Sequence, residues 1–506
     1  MPDYDVVVVG GGGAGLAAAS MAASLGRRVA LLEKNEAIGG TTAYSVGSVS
    51  ATSTPHQLRV GILDSPEDHW RDLQLFGGTE APLDNTELGR VLADGTPEMF
   101  RWLLAAGLEF IGPMPEPPHR RPRMHNVVPN SRAFPYHLGR LCTRQGVGIF
   151  TTQTAERVIF DAGRAVAVET VDPLGKYTRW NARGGVVLAA GDFSASTELK
   201  AHFASALAAG ADPVNPGSTG DGIRMGLAAG GEVLNGAHLR GPFLRFIPPR
   251  DPGWIAKLPP LRPLTRTMAW AYGTLPSTWL RPFLMKFLTT TLAPDKALFT
   301  AGAALIDRDG ALIRDSRGNP HHATARAPGG LGFIVFDHRI ARQFSAWPYF
   351  VSTAPGVAYA YLDDYRRTRR DICYRAASLK ELAAQLGMPE DAFELSVQEH
   401  NAAIAAHPGA AQPIVTAPYH ALGPAKAYVV FTNGGLKVSP RLEVLRADGS
   451  SISGLYAAGS NGQGGQLLEG HGHHLGWAFV SGRVAGRNAA LAATTPGSSS
   501  VDPKAR

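Results

Sequence analysis

The chain opens on a polar start that gives way to an unbroken apolar run. In DYDVVVVG, Val6 to Val9 follow one another without a polar break, which fits a strand from Asp5 to Val9 buried on both faces of a parallel sheet. A glycine cluster follows. The Ala-rich stretch from Ala14 to Leu25 then predicts a buried helix that stops at Gly26. From Arg28 to Leu32 the strand pattern returns, and Glu33 ends it.

Strand, glycine turn, helix and second strand together change what the glycines mean. Gly10, Gly12 and Gly15 form GxGxxG. In such a turn the first glycine allows the tight bend, the second lets a pyrophosphate reach the backbone, and the third lets helix and strand pack closely. The helix start, with Ala14 beside it, turns free N–H groups toward phosphate. Glu33, with Lys34 next to it, stands where an acid accepts hydrogen bonds from ribose hydroxyls and repels a 2′-phosphate. This unit predicts dinucleotide binding.

Composition narrows the class. With 506 residues the chain has room for two or three domains. Cys142 and Cys373 are its only cysteines, which excludes a disulfide framework, a CxxC redox pair and c-type haem attachment, and fits a reducing, cytoplasmic setting. The N-terminus lacks the basic region of a secretory signal, and no apolar run reaches the length of about 18 residues that a membrane span needs. The net charge of +7 is mild for this length. Part of the surplus sits between Gly253 and Pro294, where Lys257, Arg262, Arg266, Arg281 and Lys286 occur without any acid. These residues do not alternate with aromatics along a groove, so no nucleic-acid partner is expected. Residues 253–294 do combine bulky apolar and basic positions, as in WLRPFLMKFLTTTL. That pattern fits a cap-domain helix pair, or a patch that touches a membrane surface or admits an apolar substrate.

The continuation KNEAIGGTTAYSVGSVSA resembles the fumarate reductase / ketosteroid dehydrogenase flavoproteins. RGGVVLAAGDFS, STGDGIRMGLAAGG, TNGGLKV and ISGLYAAGSNGQGG extend the resemblance over nearly the whole chain. It implies an α/β fold: a Rossmann-like FAD-binding domain of the GR2 type, with a parallel sheet and a β-hairpin, carrying an inserted α+β catalytic or cap domain. Residues 1–240 and 426–495 would form the FAD-binding domain, 241–425 the insert and 496–506 a disordered tail. Gly39, Gly40, Thr41 and Thr42 would follow the FAD phosphates, with Ser45 to Ser48, including Gly47, beside the isoalloxazine. The hairpin backbone near Val158 would meet adenine. Ala190 and Gly191, then Gly459, Ser460 and Asn461, and finally Leu475 and Gly476 would complete the cofactor contacts. Relatives with covalent flavin carry a histidine in the segment after Glu33. None occurs from residue 34 to 55, so non-covalent FAD is expected.

The same resemblance frames the chemistry. Fumarate reductases of the family have a histidine where this chain has Phe431, and an arginine in the segment that here reads QLLEG, with Glu469. A glutamate facing a dicarboxylate lowers affinity. Ketosteroid dehydrogenases place a glycine whose N–H binds the ketone oxygen, and Gly472 falls there, followed by His473 and His474 at the start of the last helix, His473 to about Ala490. Their tyrosine position is Leu468. The family's proton-shuttling position falls on Asn319, and nearby Arg317, His321 and His322 are the candidates instead. Tyr349, Tyr359 and Tyr361 are further, unranked candidates. The expected function is an FAD-dependent dehydrogenase or reductase acting on a C=C bond next to a carbonyl in an apolar cyclic ketone or enone, served by an external electron acceptor or donor. The alternatives are a fumarate-type reductase and a flavin-binding protein with a degenerate site. His471, His473 and His474 look like metal ligands, but their register assigns them to the flavin and substrate cradle, so no metal is expected. His119 and His125 flank RRPRM, which reads as a solvated basic loop or, with Arg120, Arg121 and Arg123, as a receiver for an acidic substrate.

Overall fold

The computed structural model describes residues 3–249, 257–276, 293–314, 319–354, 358–407 and 409–493, with positions 279, 281, 285, 286 and 289 between them. Residues 496–506, Arg317 and much of 253–294 lie outside the described residues.

The opening apolar run forms the strand Asp3–Val9, in which Val6, Val7 and Val8 have no exposure. It lies parallel to Val29–Leu32 on one side and to Tyr177–Leu188 on the other. Gly148–Phe150 extends the sheet past Val29–Leu32, and Ser451–Ala457 extends it past Tyr177–Leu188, both in parallel. The hairpin Thr154–Asp161 and Arg164–Val171 is attached to Tyr177–Leu188. Parallel strands need covering on both faces, and the run of valines meets that need.

Helix Gly13–Ser24 begins one residue before the expected start. It packs against the closing helix His473–Ala492 through small residues. A Cβ on Gly482 would meet the Ala14 carbonyl oxygen at 2.3 Å, and one on Gly486 would meet that of Ala18 at 2.2 Å. The closing helix is thereby fixed against the dinucleotide turn, with its N-terminal cap Gly472 beside the strand Ser48–Ser50.

A second sheet is organised around the long strand Tyr419–Val429, which pairs with Leu331–Phe336, Phe243–Phe246, Cys373–Ala376 and Asp212–Pro213. The expected division near residue 425 falls inside this strand. Its Ala425, Ala427 and Val429 are buried, while Lys426 and Tyr428 share the other face with Phe243 and Arg245. Leu239–Arg240 pairs with Phe431–Thr432 in a short antiparallel ladder that lies next in sequence to the paired strands Phe243–Phe246 and Tyr419–Val429. No helix among the described residues is long and apolar enough to cross a membrane.

Candidate functional site

A groove with about 810 Å³ of empty space runs across the carboxyl ends of the parallel strands. Gly10, Gly12, Ala14, Glu33, Lys34, Gly40, Thr41, Thr42, Ala190, Gly191, Gly459 and Ser460 all border it. Thr42 Oγ1 accepts the Gly13 N–H at 3.0 Å, which fixes the segment after Glu33 onto the helix start. Glu33 is buried; Oε2 accepts the Gly11 N–H at 2.7 Å and Oε1 accepts the Asn35 N–H at 2.9 Å. The acid therefore also braces the turn. Lys34 Nζ is 2.8 Å from Asp221 Oδ2.

The remaining expected cofactor residues stand apart from this groove. Gly15 is a packing glycine, because a Cβ there would lie 1.8 Å from the Gly10 carbonyl oxygen. Gly39 caps the short helix Gly40–Tyr44 at φ +140°. Ser45 Oγ donates to the Thr42 carbonyl at 2.8 Å and accepts the Gly47 N–H at 3.2 Å, so these two residues shape the turn behind that helix. Val158 lies mid-hairpin opposite Val168, and the hairpin residues that border the groove are Gln153 and Ala155. The alternation of the hairpin did not reveal that its entry, rather than its middle, meets the groove. Asn461 is buried and accepts the Ala190 N–H at 3.0 Å, holding the two glycine turns together. Leu475 and Gly476 are buried in the first turn of the closing helix, where the Gly476 N–H donates to the Gly472 carbonyl.

Around Gly472 the chemistry becomes polar. Gly472 has φ +85°, and a Cβ on it would meet the Ser50 amide nitrogen at 2.4 Å, so only glycine fits. The helix that starts here offers its first N–H groups and its positive end to an oxygen or to a flavin edge. His474 is half-buried against Phe431, with ring centroids 3.8 Å apart. Its Nε2 is out of solvent and has no partner among the described residues. Burial above all, then His473 and Arg240, pushes the His474 pKa down to about 3. Glu469 ion-pairs with Arg240 and accepts the Asn433 side-chain N–H at 2.8 Å. Arg240 also stands 5.7 Å over the Phe243 ring, and Phe243 meets His321 edge-on at 5.6 Å. His321 Nδ1 accepts the Leu244 N–H at 3.0 Å, and burial, ahead of Lys296 and His322, lowers its pKa to about 4. His474, Phe431, Arg240, Phe243 and His321 thus form one continuous wall. No sequence motif marks Arg240, whose place is set by the pairing of Leu239–Arg240 with Phe431–Thr432. Tyr349 is exposed, and Tyr359 packs on Trp347.

The RRPRM segment corrects an expectation. It is solvated only in part: Arg120 and Arg121 are exposed, but the side chains of Arg123, Asp64 and Asp72 have no exposure and His119 and His125 are buried. Arg123 is 2.7 Å from Asp64 and also pairs with Asp72; Arg120 adds a bond to Asp72. An arginine spent on two internal carboxylates does not receive an acidic substrate.

His69, His119 and His473 bring one nitrogen each within 4.8 Å of one another. The surrounding donors oppose a metal there. Arg123 donates to His119 Nδ1 at 3.0 Å and Gly470 N–H donates to His473 Nδ1 at 3.1 Å. Those bonds favour the ring protons on the two Nε2 atoms, the same atoms a metal would need as lone pairs. The nearby guanidinium adds repulsion toward a cation. His471 turns away to Glu116, at 2.6 Å.

The groove decides the cofactor. Gly12, with space for a phosphate and no room lost to a side chain, the helix start behind it and the buried acid beyond it fit an FAD adenosine diphosphate moiety. A sequence model described as an FAD binding domain matches residues 5–249 and 267–467. The chain belongs to this FAD binding domain family. The resemblance drawn from the glycine motifs is borne out, as is FAD as the cofactor. Similar proteins include an NADH:acrylate oxidoreductase of Vibrio harveyi, 26% identical over 96% of this chain and 50% of that protein. A vinyl phenol reductase of Lactiplantibacillus plantarum is 25% identical over 96% of both. The chain spans about half the length of the first of these, and 44% of an NADH:fumarate oxidoreductase of Klebsiella pneumoniae to which it is 25% identical over 90% of its own length. Among solved structures, the open conformation of a flavocytochrome c3 fumarate reductase has a TM-score of 0.73 at 20% identity, covering 98% of this chain and 79% of that one. A 3-ketosteroid Δ1-dehydrogenase from Sterolibacterium denitrificans has 0.66 at 17%, covering 97% and 100%. These two likenesses concern the fold.

Proposed function

We propose that this flavoprotein is an oxidoreductase that forms or reduces a C=C bond next to a carbonyl in an uncharged, largely apolar substrate. The observation that carries this reading is the wall at Glu469: the site's arginine, Arg240, is already neutralised by Glu469, and Phe431 and His474 supply an aromatic face beside it. A neutral ring or enone can lie against such a face without leaving a charge unpaired.

FAD, when bound, accepts or supplies the hydride. The protein's part is to hold and protonate. The first N–H groups of the helix beginning at Gly472 hold the carbonyl oxygen and stabilise negative charge as it develops there. In the oxidative direction a hydride leaves the β carbon and a proton leaves the α carbon; reduction reverses both. His321, neutral because burial lowers its pKa to about 4, serves as the proton-transfer group: its one lone pair, on Nδ1, takes the α proton in place of the Leu244 N–H, and returns it in reduction. The Phe431 and His474 rings keep water from the reacting carbons. An external acceptor or donor closes the cycle. An apolar substrate suits entry past the helix Arg262–Thr274, where Leu261 and Trp270 are exposed, and we extend the reading to peripheral contact of this helix with a membrane surface.

A second reading, a carboxylate-directed reductase, is favoured by the presence of Arg240 in the wall and by relatives named for acrylate and fumarate. Anaerobic mixing of the holoprotein with saturated ketosteroids, cyclohexanones and dicarboxylates separates the two. Bleaching of the flavin by cyclic ketones is expected; bleaching by succinate alone would replace the first reading with the second.

A further inference from the structure

We propose that Glu469 is a specificity-determining residue whose carboxylate fills the seat on Arg240 that a substrate carboxylate would otherwise take. The inference rests on the proposed location of the substrate against this wall. Arg240 reaches the wall from the short strand Leu239–Arg240, directly paired with Phe431, and its charge is close enough to depress the His474 pKa. A guanidinium beside the reacting ring would ordinarily recruit a carboxylate through two parallel hydrogen bonds. Here that position is taken internally.

Glu469 is held in place rather than merely attracted. Its Oε1 accepts from Asn433 Nδ2 at 2.8 Å, and Asn433 Oδ1 accepts from Gln463 Nε2 at 3.0 Å. Gln463 and Asn433 are buried, and Gln463 Nε2 also donates to the Gln466 carbonyl at 2.8 Å. The amide relay holds the carboxylate against Arg240. Its cost in entropy is met on folding, so an incoming anion must displace a preorganised partner. A second acid strengthens the exclusion. Glu116 is buried, its Oε1 accepts from His471, its Oε2 is without a partner among the described residues, and its charge opposes the lowering of the Arg240 pKa by burial. An entering carboxylate would share one cation with two carboxylates. An uncharged substrate meets no such penalty. The aromatic wall and the occupied arginine therefore select together: the rings favour apolar carbon, and Glu469 refuses the acid.

The test is a titration of the holoprotein, following the absorbance of bound FAD, with cinnamate and with cinnamamide, its uncharged counterpart of the same shape. In Glu469→Gln, which keeps the hydrogen bond to Asn433 as an acceptor and removes the charge, the preference for the acid over the amide should rise about tenfold or more relative to the unsubstituted protein. Glu469→Asp, which withdraws the charge without abolishing it, should give a smaller rise. Adding Arg240→Met to Glu469→Gln should abolish the gain. An acid-to-amide preference unchanged in both Glu469 variants, or a gain that survives Arg240→Met, would overturn the proposal. Ketone turnover is not part of this readout, so failure of the ketone reading shows instead as absent flavin bleaching in the unsubstituted protein.

Discussion

His119 and His473 meet through their Nε2 atoms at 2.9 Å, and each ring accepts an N–H on its other nitrogen, from Arg123 and from Gly470. With an N–H donor against each Nδ1, the proton of each neutral ring lies on Nε2, and an additional proton would have to sit against the Arg123 or Gly470 donor. Burial, His69 and Arg123 push the His119 pKa down to about 2; burial and His119 push that of His473 down to about 3. Both rings stay neutral in the folded protein and charge only on unfolding, where their pKa returns to about 6.5. The unfolded state thus binds more protons below that value, and stability falls as pH drops. The loss amounts to about 1.4 kcal/mol per pH unit for each ring kept neutral. Thermal unfolding should show Tm constant above about pH 7 and falling steeply between about pH 6.5 and 4. His473→Gln should reduce that slope. A Tm independent of pH over the same interval would show that the pair protonates in the native state.

Gly12 and Gly15 separate binding from folding. A Cβ on Gly12 would find only the Gly39 carbonyl oxygen, at 4.0 Å, and its φ of −76° suits any residue. A Cβ on Gly15 would lie 1.8 Å from the Gly10 carbonyl oxygen. Gly12→Ala should therefore fold as the apoprotein with little change in Tm, yet bind FAD at least about tenfold more weakly, a loss of about 1.4 kcal/mol. Gly15→Ala should fail to give folded protein. Titration of apoprotein with FAD, followed by flavin fluorescence, and circular dichroism of both variants check this. Full FAD affinity in Gly12→Ala would contradict the seat assigned to the pyrophosphate.

Local signals carried the dinucleotide unit. The valine run, the spaced glycines and the terminal acid act within thirty-odd residues, so their order along the chain is also their order in space. The proposed substrate wall is different. Arg240 and Glu469 are 229 positions apart, and Glu116 and His471 are 355 apart. Their meeting depends on strand pairing and on the packing of the closing helix, which no local pattern encodes. Arg123 misled for a related reason. Three arginines in five residues resemble a solvated loop, while the acids that bury one of them, Asp64 and Asp72, come from an earlier helix and the loop before it.

Those acids make Arg123 a residue whose loss the fold should tolerate poorly. Arg123→Met leaves Asp64 without this guanidinium and Asp72 with Arg120 in place of two arginines, although burial opposes the ionised form of both carboxyl groups and Arg123 holds both below their ordinary pKa. The expected destabilisation is about 3–5 kcal/mol. Asp64→Asn with Asp72→Asn in the same background should recover part of it. Urea unfolding of the single and triple variants gives both numbers, and a single variant within about 0.5 kcal/mol of the parent would contradict the assignment.

His321 provides the pH signature of the proposed chemistry. Its Nδ1 accepts the Leu244 N–H, which leaves the ring proton on Nε2, and burial lowers its pKa to about 4. The ring is protonated only below that value. A reaction that uses it in the neutral form should have kcat/KM independent of pH from about 5.5 to 8, with a decline on approach to 4 and none near 6.5. His321→Gln offers an amide oxygen to the Leu244 N–H but no group suited to proton transfer. Turnover of a cyclic ketone or enone should drop by about 10²–10⁴, with FAD content and Tm preserved. Stopped-flow flavin reduction across this pH range measures both effects. A decline in the unsubstituted protein centred near pH 6.5, or full activity in His321→Gln, would move the proton-transfer role to another group on the wall.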